Sequence, residues 1–387
     1  MKDHSKLHRF IYRLFYPPVS LVYHLLYRLS LPKVWKDPRL PESFLLISNH
    51  ATNDDMIFTG LSFRRQMYFV GTEHLLSLGF ASKLLKLFFD PIPRPKGAAG
   101  TGAVMEILRR LKAGRRVCLF AEGNCTWDGR TASFPEATGK MALRSGVPLV
   151  TFRLRGGYFA YPRWSKKRRR GPVSGELVNV YSPEELKNLG PKGINEAVAR
   201  DIRLDAYAEQ EKSPARYPSR RRAEGIEHAL LVCPACRRID TLQSRGASFF
   251  CSCGLSGSYS ETGFLSGEGF SFRTPAQWID WQKEFFRALP DTGEELTFDE
   301  GLTLREINGH ERKEAARGRV SISSRELKAG GLSFPLSEIS DLAVRLQGTV
   351  SFSLSDGRYY ELLPPKRSTY HGYKYYLIYQ HFQGGSL

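Results

Sequence analysis

Between Ser43 and Leu154 the sequence alternates short apolar runs with segments of helical periodicity, and this alternation constrains the fold more than any other feature. Apolar runs of about 4–8 residues bounded by turn residues are typical of buried strands, whereas an apolar residue at every third or fourth position is typical of helices. The runs are FLLIS, MYFVG, VCLFAEG and PLVTFRL, and the segments between them predict helices from residue 53, over 75–89, over 101–113 and over 137–145. Such alternation builds a mixed or mostly parallel sheet covered by helices, so we expect an α/β sandwich.

The end of the first strand carries the clearest chemical signal. FLLIS leads into Asn49 and His50, and Asp55 follows the histidine by five residues. On a regular helix, residues five apart are separated by about 140° of rotation, so the two side chains meet only if His50 lies in a loop before the helix. Residues 52–54, Thr-Asn-Asp, are suitable helix N-caps. A histidine held by a carboxylate can remove a proton from a hydroxyl, although such a pair can also merely satisfy local hydrogen bonds.

Two further loops at predicted strand ends carry polar residues. In PIPRPKGAAG, Arg94 and Lys96 precede a helix entry at Thr101, which suits a phosphate; the alternative is an exposed basic loop. In LFAEGNCTWDG, the strand leads into Glu122 and Gly123. A carboxylate there can bind a hydroxyl or a cation, and the glycine lets the backbone approach a ligand. The alternative is a turn with a capping acid.

These stretches together resemble the sequence blocks of the glycerophospholipid acyltransferase family, the 1-acylglycerol-3-phosphate acyltransferases of the PlsC type. The family shows NHxxxxD, an arginine-containing second block, an EGT-type third block and a Val-Pro fourth block. This chain shows NHATNDD, DPIPRPK, FAEGNCTWDG and SGVPLVTF in the same order, within residues 40–160. The resemblance implies an O-acyltransferase that moves a fatty acyl group from a thioester donor, acyl carrier protein or coenzyme A, to the free hydroxyl of a lysophospholipid. The most typical acceptor is 1-acyl-glycerol-3-phosphate, which becomes phosphatidic acid.

The resemblance also implies roles for individual residues. His50 would be the catalytic base and Asp55 its partner, Arg94 would bind the phosphate of the acceptor, and no covalent acyl-enzyme would be required. The substrate-binding residues that it implies are Asn49, Arg94, Lys96, Glu122, Gly123, Val147 and Pro148, the last two on the acyl-donor side.

The third block departs from the family pattern. Asn124, Cys125 and Thr126 stand where the family usually has Thr, Arg and Ser, so an arginine that contacts phosphate is missing and the identity of the acceptor is open. Cys125 is conceivable as a nucleophile, but nothing in the surrounding sequence marks it as activated. Cys118 lies in a predicted buried strand and is expected to be inert.

Residues 1–36 predict membrane association. They hold seven Lys or Arg and one acidic residue, and apolar residues recur at helical spacing on both sides of Pro17-Pro18. We expect two amphipathic helices lying on an anionic membrane, or packing on the domain behind them. Because the prolines, His24 and Arg28 interrupt the apolar stretch, we expect neither a signal peptide nor a spanning helix. The expected location is the cytoplasmic face of a membrane, peripheral or monotopic.

The net charge of +18 indicates an anionic partner: nucleic acid, an acidic membrane, an anionic substrate or an acidic carrier protein. The six basic residues between Arg163 and Arg170 form a solvated loop, or contact lipid headgroups or acyl carrier protein. Nucleic acid is disfavoured, because the basic runs lack regular aromatic interleaving.

Four cysteines, Cys233, Cys236, Cys251 and Cys253, follow a Pro-, Ser- and charge-rich segment that reads as a linker. Cys-x2-Cys followed by Cys-x-Cys-Gly resembles a zinc ribbon, although the second pair departs from the usual Cys-x2-Cys. Four thiolates in a reduced compartment predict a structural zinc, and the alternative is free cysteines.

The remaining sequence predicts an amphipathic helix at TPAQWIDWQKEFFRAL, short alternating strands with a hairpin at Asp356-Gly357, and a helix at Tyr373 to Phe382. This pattern resembles a pleckstrin-homology (PH) or GRAM-like domain, a docking or regulatory module. The predicted divisions are membrane helices 1–36, acyltransferase domain 37–211, linker 212–228, zinc ribbon 229–262 and a β-rich domain 263–387. A non-catalytic lipid-binding or scaffold protein would be the main alternative to an enzyme.

Overall fold

The computed structural model describes residues 5–72, 90–94, 101–309, 311–345, 348–365 and 370–383. They form two compact units. The first contains the described residues up to Ser219 except Trp164–Lys167, and the second contains Trp164–Lys167 and the described residues from Arg220 onward. The predicted helix over 75–89 lies outside the described residues.

The first unit contains seven strands and seven helices among its described residues. The strands are β1 (Arg28–Ser30), β2 (Leu45–Ser48), β3 (Tyr68–Thr72), β4 (Ile92–Arg94), β5 (Val117–Phe120), β6 (Leu149–Arg155) and β7 (Pro172–Tyr181). The helices are α1 (Ser5–Leu26), α2 (Asp55–Phe63), α3 (Thr101–Lys112), α4 (Ala137–Ser145), α5 (Gly157–Ala160), α6 (Pro183–Ile202) and α7 (Ala206–Lys212), with a short 3-10 helix at Val34–Lys36.

The sheet confirms the predicted mixed α/β organisation. Its strand order is β1-β7-β6-β2-β5-β3-β4, with β6 to β4 mutually parallel, β7 antiparallel to β6, and β1 parallel to β7. Every residue of β2 is buried, as expected for a central strand covered on both faces. Because β2 and β5 are adjacent and parallel, with Ser48 opposite Phe120, the loops that follow them meet at one edge of the sheet.

Helix α1 corrects the prediction of two helices, because it runs through Pro17 and Pro18 as one 22-residue helix. The two prolines remove only two backbone donors, and tyrosines on both sides of them attach α1 to α2. Tyr12 and Tyr16 donate hydrogen bonds to carbonyl oxygens in α2 at 2.6 and 3.2 Å, and Tyr23 donates to Asp54 before α2 at 3.2 Å. The packing of α1 on α2 therefore outweighs the tendency of the two prolines to break the helix.

The other face of α1 is apolar and exposed. Its exposed large side chains are Leu7, Phe10, Leu14, Phe15, Leu21, Val22, Leu25 and Leu26. The amphipathic character predicted for this segment is therefore present in the structure. Across the described residues, the structure contains no helix with the length and hydropathy needed to cross a bilayer.

Asp54 joins α1, α2 and the basic run. This buried carboxylate accepts hydrogen bonds from the hydroxyls of Tyr23 and Tyr27, and it pairs with Arg168 through two bonds of 2.7 and 2.8 Å. Burial would raise the pKa of Asp54, but the Arg168 guanidinium and the hydroxyl donors lower it. Arg169 is buried too, with its guanidinium on a backbone carbonyl. Arg168 and Arg169 of the basic run therefore bind groups within the first unit and do not belong to a solvated loop.

The second unit contains two antiparallel sheets. One has the order β11-β10-β9-β8 and the other β15-β14-β13-β12-β18-β17-β16. The strands are β8 (Leu242–Arg245), β9 (Ser248–Cys251), β10 (Ser256–Tyr259), β11 (Leu265–Glu268), β12 (Glu295–Asn308), β13 (Glu311–Ser323), β14 (Glu326–Ala329), β15 (Leu332–Pro335), β16 (Ile339–Arg345), β17 (Thr349–Leu354) and β18 (Tyr359–Leu363). The helices are α8 (Pro275–Arg287) and α9 (Tyr373–Phe382), with 3-10 helices at Ile226–His228 and Leu336–Glu338.

Helix α8 packs against the chain that leads into the cysteine segment. Trp278 donates its indole N–H to the carbonyl of Val232 at 2.9 Å, and the Gln282 amide bonds the backbone of Ala229 and Leu231 at 2.8 and 2.9 Å. Residues 229–262 and 263–387, which the sequence divides into two domains, accordingly lie in one compact unit. The remaining predicted boundaries and the PH-like identity stay predictions.

We expect the substitution Asp54→Ala to destabilise the first unit by about 3 kcal/mol, because it leaves a guanidinium, the buried Tyr27 hydroxyl and the half-buried Tyr23 hydroxyl without their acceptor. Urea unfolding followed by fluorescence measures this. The matched control is Asp37→Ala, which removes a pair with the 56% exposed Arg39 side chain and should cost at most about 1 kcal/mol. Equal unfolding midpoints for the two variants would show that Asp54 does not hold these elements together.

Candidate active site

The loop between β2 and α2 holds His50 beside Asp55. The loop covers residues 49–54, and α2 begins at Asp55, so the histidine precedes the helix as its spacing predicts. His50 Nδ1 lies 2.9 Å from Asp55 Oδ2, which also accepts the backbone N–H groups of Ala51 and Thr52 at 2.6 and 2.9 Å. Asp55 is fully buried, and three donors onto one oxygen fix its orientation. With Asp55 ionised, Nδ1 carries the hydrogen and Nε2 faces away from the carboxylate.

The histidine is held from its other sides by the loop after β5. Its ring stacks on Phe120 with centroids 4.4 Å apart, and its backbone N–H donates to Glu122 Oε1 at 2.6 Å. The carbonyl of His50 accepts the N–H of Thr126 at 3.1 Å. Ring and backbone are therefore both fixed before any substrate binds, as general base catalysis requires.

Glu122 links the loop that carries His50 to the loop after β5. Its second oxygen, Oε2, accepts the backbone N–H of Ala132 at 2.7 Å, so the carboxylate ties two loops together. Burial raises the pKa of Glu122 to about 7, although both backbone donors oppose the rise. The predicted contact of Glu122 with substrate stays a prediction, whereas its support of His50 is a structural observation.

Cys125 lies beside the histidine ring. Its Sγ is 3.3 Å from His50 Nε2, 3.7 Å from His50 Nδ1 and 3.7 Å from Asn53 Oδ1. Burial would lower the pKa of His50, but the neighbouring Cys125 and Asp55 side chains raise it well above its usual value. The structure thus places a thiol against the side of the imidazole, off the line that joins Nε2 to an approaching hydroxyl. Sequence reasoning considered this cysteine and found no signal, because its partner lies 75 residues earlier in the chain.

Asn49 and Gly123 lie at the same edge of the sheet. The Asn49 amide donates to the Leu154 carbonyl at 2.9 Å and accepts the Leu154 N–H at 2.8 Å, so it extends the contact between β2 and β6. Gly123 is exposed beside Glu122 with φ of 74°, a conformation that strains other residues. Gly123 is therefore free to approach a ligand, whereas the Asn49 side chain is engaged within the fold.

The second predicted block is described only in part. Arg94 ends β4, an edge strand parallel to β3, and its backbone lies at the same edge of the sheet as His50. Lys96 lies outside the described residues. The predicted contact of both with phosphate stays a prediction.

Val147 and Pro148 are not brought to the site. They precede β6, which is parallel to β2, whereas His50 follows β2. The length of the strands therefore separates the two residues from the histidine, and the Pro148 carbonyl accepts the Leu45 N–H at 3.0 Å at the amino end of the sheet. Their predicted part in shaping the acyl-donor side stays a prediction.

Arg163, the first residue of the basic run, lies at the third block. Its guanidinium donates to the Cys125 carbonyl at 2.9 Å and lies over the Trp127 ring, 4.3 Å from the centroid. A positive charge thus stands beside the block in which the expected arginine is replaced by Cys125. The signal available from sequence was a basic run soon after β6, whose carboxyl end lies at this edge of the sheet.

The four predicted metal ligands form a separate cluster in the second unit. The Sγ atoms of Cys233, Cys236, Cys251 and Cys253 all lie within 4.8 Å of one another. Two of the separations, Cys233 to Cys253 and Cys236 to Cys251, are 3.7 and 3.8 Å. A tetrahedral zinc with Zn–S bonds of about 2.3 Å needs sulfurs about 3.8 Å apart, so the donor set fits this metal.

Comparisons with known proteins bear on the first unit. Residues 33–155 match the family model described as Acyltransferase. The 1-acyl-sn-glycerol-3-phosphate acyltransferase LPAT1 of Arabidopsis thaliana chloroplasts is 25% identical over 154 residues, which is 39% of this chain and 42% of that protein. This chain therefore spans less than half the length of that relative.

Two solved structures show more distant similarity. The LPA acyltransferase PlsC of Thermotoga maritima aligns at a TM-score of 0.45 with 18% identity, covering 57% of this chain and 86% of that chain. The N-terminal PH domain of human ARAP2 aligns at a TM-score of 0.17 with 10% identity, covering 25% of this chain and 83% of that chain. The similarity to the acyltransferase family therefore lies in residues 33–155, which carry the His50–Asp55 pair.

Proposed function

We propose that this protein transfers a fatty acyl group from a thioester donor, acyl-coenzyme A or acyl carrier protein, to the free hydroxyl of a lysophospholipid. The acceptor we propose is 1-acyl-glycerol-3-phosphate, the compound in the name of the Arabidopsis relative. The observation that carries the proposal is the 2.9 Å contact between His50 Nδ1 and Asp55 Oδ2, inside the residues that match the acyltransferase family.

The pair supports the chemistry of ester formation. Asp55 holds the ring so that Nε2 can accept a proton from the acceptor's hydroxyl, and it stabilises the imidazolium that results. The hydroxyl oxygen forms the new C–O bond to the acyl carbon, and the C–S bond of the thioester breaks. The proton passes from the imidazolium to the departing thiolate, so that atoms and charge balance.

Two arginines supply positive charge for the acceptor's phosphate. Arg94 is the residue that the family resemblance implies, and its backbone lies at the catalytic edge of the sheet. Arg163 lies against the third block, where its guanidinium is held by the Cys125 carbonyl and the Trp127 ring. A guanidinium suits a phosphate because it can donate two parallel hydrogen bonds.

An apolar groove between α1 and α2 supports the proposed binding of an acyl chain. Its volume is about 140 Å³. The apolar residues that line it include Ile11, Phe15, Val19, Met56, Ile57 and Met67. Met56 and Ile57 follow Asp55 in the first turn of α2, so the groove begins within one helical turn of the His50–Asp55 pair. Its lining of aliphatic and thioether side chains suits contact with an apolar ligand.

The exposed apolar face of α1 supports binding to a membrane. Leu14 and Leu25 are 58% and 65% exposed, and Arg9, Arg13 and Arg28 lie on or beside the same helix. An apolar stripe flanked by basic residues suits an anionic bilayer surface. We place the protein at the cytoplasmic face of the membrane, where its acceptor and donor meet.

The catalytic role of the pair is tested by His50→Ala and Asp55→Asn. We expect acyl transfer to 1-acyl-glycerol-3-phosphate to fall by about 10²–10⁴-fold, because the base or its orienting acid is lost. His381→Ala, in the second unit, is the control and should keep full activity. Unchanged transfer by His50→Ala would refute the enzyme, and a non-catalytic lipid-binding protein would then explain the groove and α1 better.

We propose that the four-cysteine cluster holds a structural zinc, since all four coordination positions are filled by thiolates. Elemental analysis of the purified chain should find one zinc per chain. Cys253→Ser should lose the metal and lower the unfolding temperature of the second unit, because metal binding contributes to folding. Cys118→Ser should keep the metal. Full retention of zinc and stability by Cys253→Ser would exclude this site.

Membrane binding is tested by sedimentation with phosphatidylglycerol vesicles. The double substitution Leu14→Ser and Leu25→Ser should reduce the bound fraction at least tenfold, since it removes apolar area that enters the bilayer. Leu332→Ser, at a residue 41% exposed in the second unit, is the matched control and should sediment as the unsubstituted protein does. Equal sedimentation of both variants would show that α1 does not face the membrane.

A further inference from the structure

A cavity lined by arginines lies at the amino ends of the parallel strands, whereas His50 follows the carboxyl end of β2. The volume of this arginine cavity is about 270 Å³. One water molecule needs only roughly 10–15 Å³, so the cavity admits a polyatomic ligand. Its charged lining consists of one carboxylate and five guanidinium groups, those of Glu42 and of Arg9, Arg13, Arg64, Arg65 and Arg116. Five positive charges and one negative charge favour an anion.

The position of the arginine cavity separates it from the His50–Asp55 pair. Arg116 directly precedes β5, whereas Phe120, whose ring stacks on His50, ends that strand. Arg64 follows α2, whereas Asp55 begins it, and a helix of nine residues is about 13 Å long. In 1-acyl-glycerol-3-phosphate, four bonds of about 1.5 Å join phosphorus to the free hydroxyl oxygen, so these atoms are at most roughly 6 Å apart. The phosphate of an acceptor bound at His50 therefore does not reach this cavity.

The single carboxylate of the cavity neutralises only part of its charge. Glu42 is shared between Arg116, whose Nη2 donates to it at 2.6 Å, and Arg65, whose Nη1 lies 3.3 Å away. The Glu42 side chain is 83% exposed, so water screens both contacts. Burial lowers the pKa of Arg116, and the charge of Arg65 adds to this effect although Glu42 opposes it. The guanidinium groups therefore retain positive charge that an anion can neutralise.

Two buried donors in the lining lack an acceptor. Gln66 is 7% exposed, and its amide Nε2 has no hydrogen-bond partner among the described residues. Arg116 Nε is likewise buried, and the described part of the chain offers it no acceptor. Buried N–H groups without a partner cost free energy, so most of them in native proteins are satisfied. An anion in the cavity supplies the acceptor that both groups lack.

Arg64 is held at the cavity by an uncommon backbone conformation. It ends α2 with φ of 46° and ψ of 28°, in the left-handed region that favours glycine. Its guanidinium lies over the rings of Tyr16 and Trp35, 5.0 and 5.4 Å from their centroids. A guanidinium stacked on a ring still presents N–H donors at its edge, which is the geometry that binds phosphate.

The exposed apolar face of α1 adjoins the arginine cavity. Arg9 and Arg13 belong to α1, and each directly precedes an exposed apolar residue, Phe10 or Leu14, which are 64% and 58% exposed. Consecutive residues of a helix differ by about 100° in direction, so the arginines line the cavity while their neighbours face solvent. A ligand with an anionic head in the cavity can thus keep apolar chains against α1. A phospholipid at a bilayer surface has this combination.

We propose that the arginine cavity binds the phosphate of an anionic phospholipid of the bilayer, whose acyl chains lie against the exposed apolar face of α1. The inference rests on the membrane binding proposed above, and it does not depend on acyl transfer. It assigns a lipid site to residues outside α1, namely Arg64, Arg65, Gln66 and Arg116. The bound lipid holds the amino ends of the strands at the membrane.

The test measures sedimentation of the full chain with phosphatidylcholine vesicles that contain phosphatidylglycerol. The double substitution Arg64→Gln and Arg65→Gln should lower the affinity about tenfold, because it removes two charged donors to the phosphate. The matched control, Arg144→Gln and Arg203→Gln, removes two exposed guanidinium groups elsewhere in the first unit and should bind as the unsubstituted chain does. Equal losses for the two double variants would overturn the inference, because binding would then follow net charge alone.

Two single substitutions test the cavity with little effect on the fold, which urea unfolding of each variant checks. Glu42→Gln removes the carboxylate that competes with the phosphate, and it should raise the affinity about threefold. Gln66→Met keeps the net charge and nearly the size of the side chain but removes the amide donor, so it should lower the affinity about threefold. Weaker or equal binding by Glu42→Gln, or equal binding by Gln66→Met, would overturn the inference.

A soluble lipid distinguishes a phospholipid site from a site for a free anion. Dihexanoylphosphatidylglycerol, below its critical micelle concentration, should bind the full chain in isothermal titration calorimetry about tenfold more tightly than inorganic phosphate, because its chains bury apolar area on α1. Equal affinities would assign the cavity to a soluble anion and overturn the inference.

The outcomes also separate the inference from the proposed function. If the unsubstituted chain sediments with the vesicles and the variant carrying Arg64→Gln and Arg65→Gln sediments equally well, the lipid site is refuted and the membrane binding stands. If the unsubstituted chain does not sediment, the proposed membrane binding fails and the inference fails with it.

Discussion

The edge of the sheet that carries His50 depends on one carboxylate. Glu122 accepts the backbone N–H of His50 with one oxygen and that of Ala132 with the other, at 2.6 and 2.7 Å. This bridge depends on β2 and β5 being adjacent and parallel, because the loops that follow them then begin side by side at one edge of the sheet. His50 is therefore positioned by the main chain of its own loop and by a side chain from the next strand. Loss of either would leave the imidazole free to rotate away from Asp55.

The two consecutive aspartates at the start of α2 have different tasks. Asp55 points to the histidine, whereas Asp54 accepts the hydroxyls of Tyr23 and Tyr27 and pairs with Arg168. Neighbouring residues entering a helix differ by about 100° in direction, so one short segment can face two sides at once. The loop that carries His50 is consequently joined to α1, the helix that lines the apolar groove and presents an apolar face to solvent.

The third block differs from the family pattern at Cys125. The thiol of this residue lies 3.3 Å from Nε2 and 3.7 Å from Nδ1 of His50. Arg163, 38 positions later in the chain, donates a hydrogen bond from its guanidinium to the Cys125 carbonyl. A positive charge therefore lies beside this block, although the residue that carries it stands outside the block in sequence.

Local pattern in the sequence determined the helices Ala137–Ser145 and Tyr373–Phe382, the buried strands around Leu45 and Leu149, and the loop position of His50 relative to Asp55. These features depend on residues within one or two helical turns of each other. Tertiary structure alone decided that α1 runs unbroken through its prolines, that Val147 and Pro148 lie away from the base, and that Cys125 meets His50. The physical reason is that each of these outcomes depends on packing, strand register or a contact between residues tens of positions apart, such as the 75 between His50 and Cys125, which no local periodicity encodes.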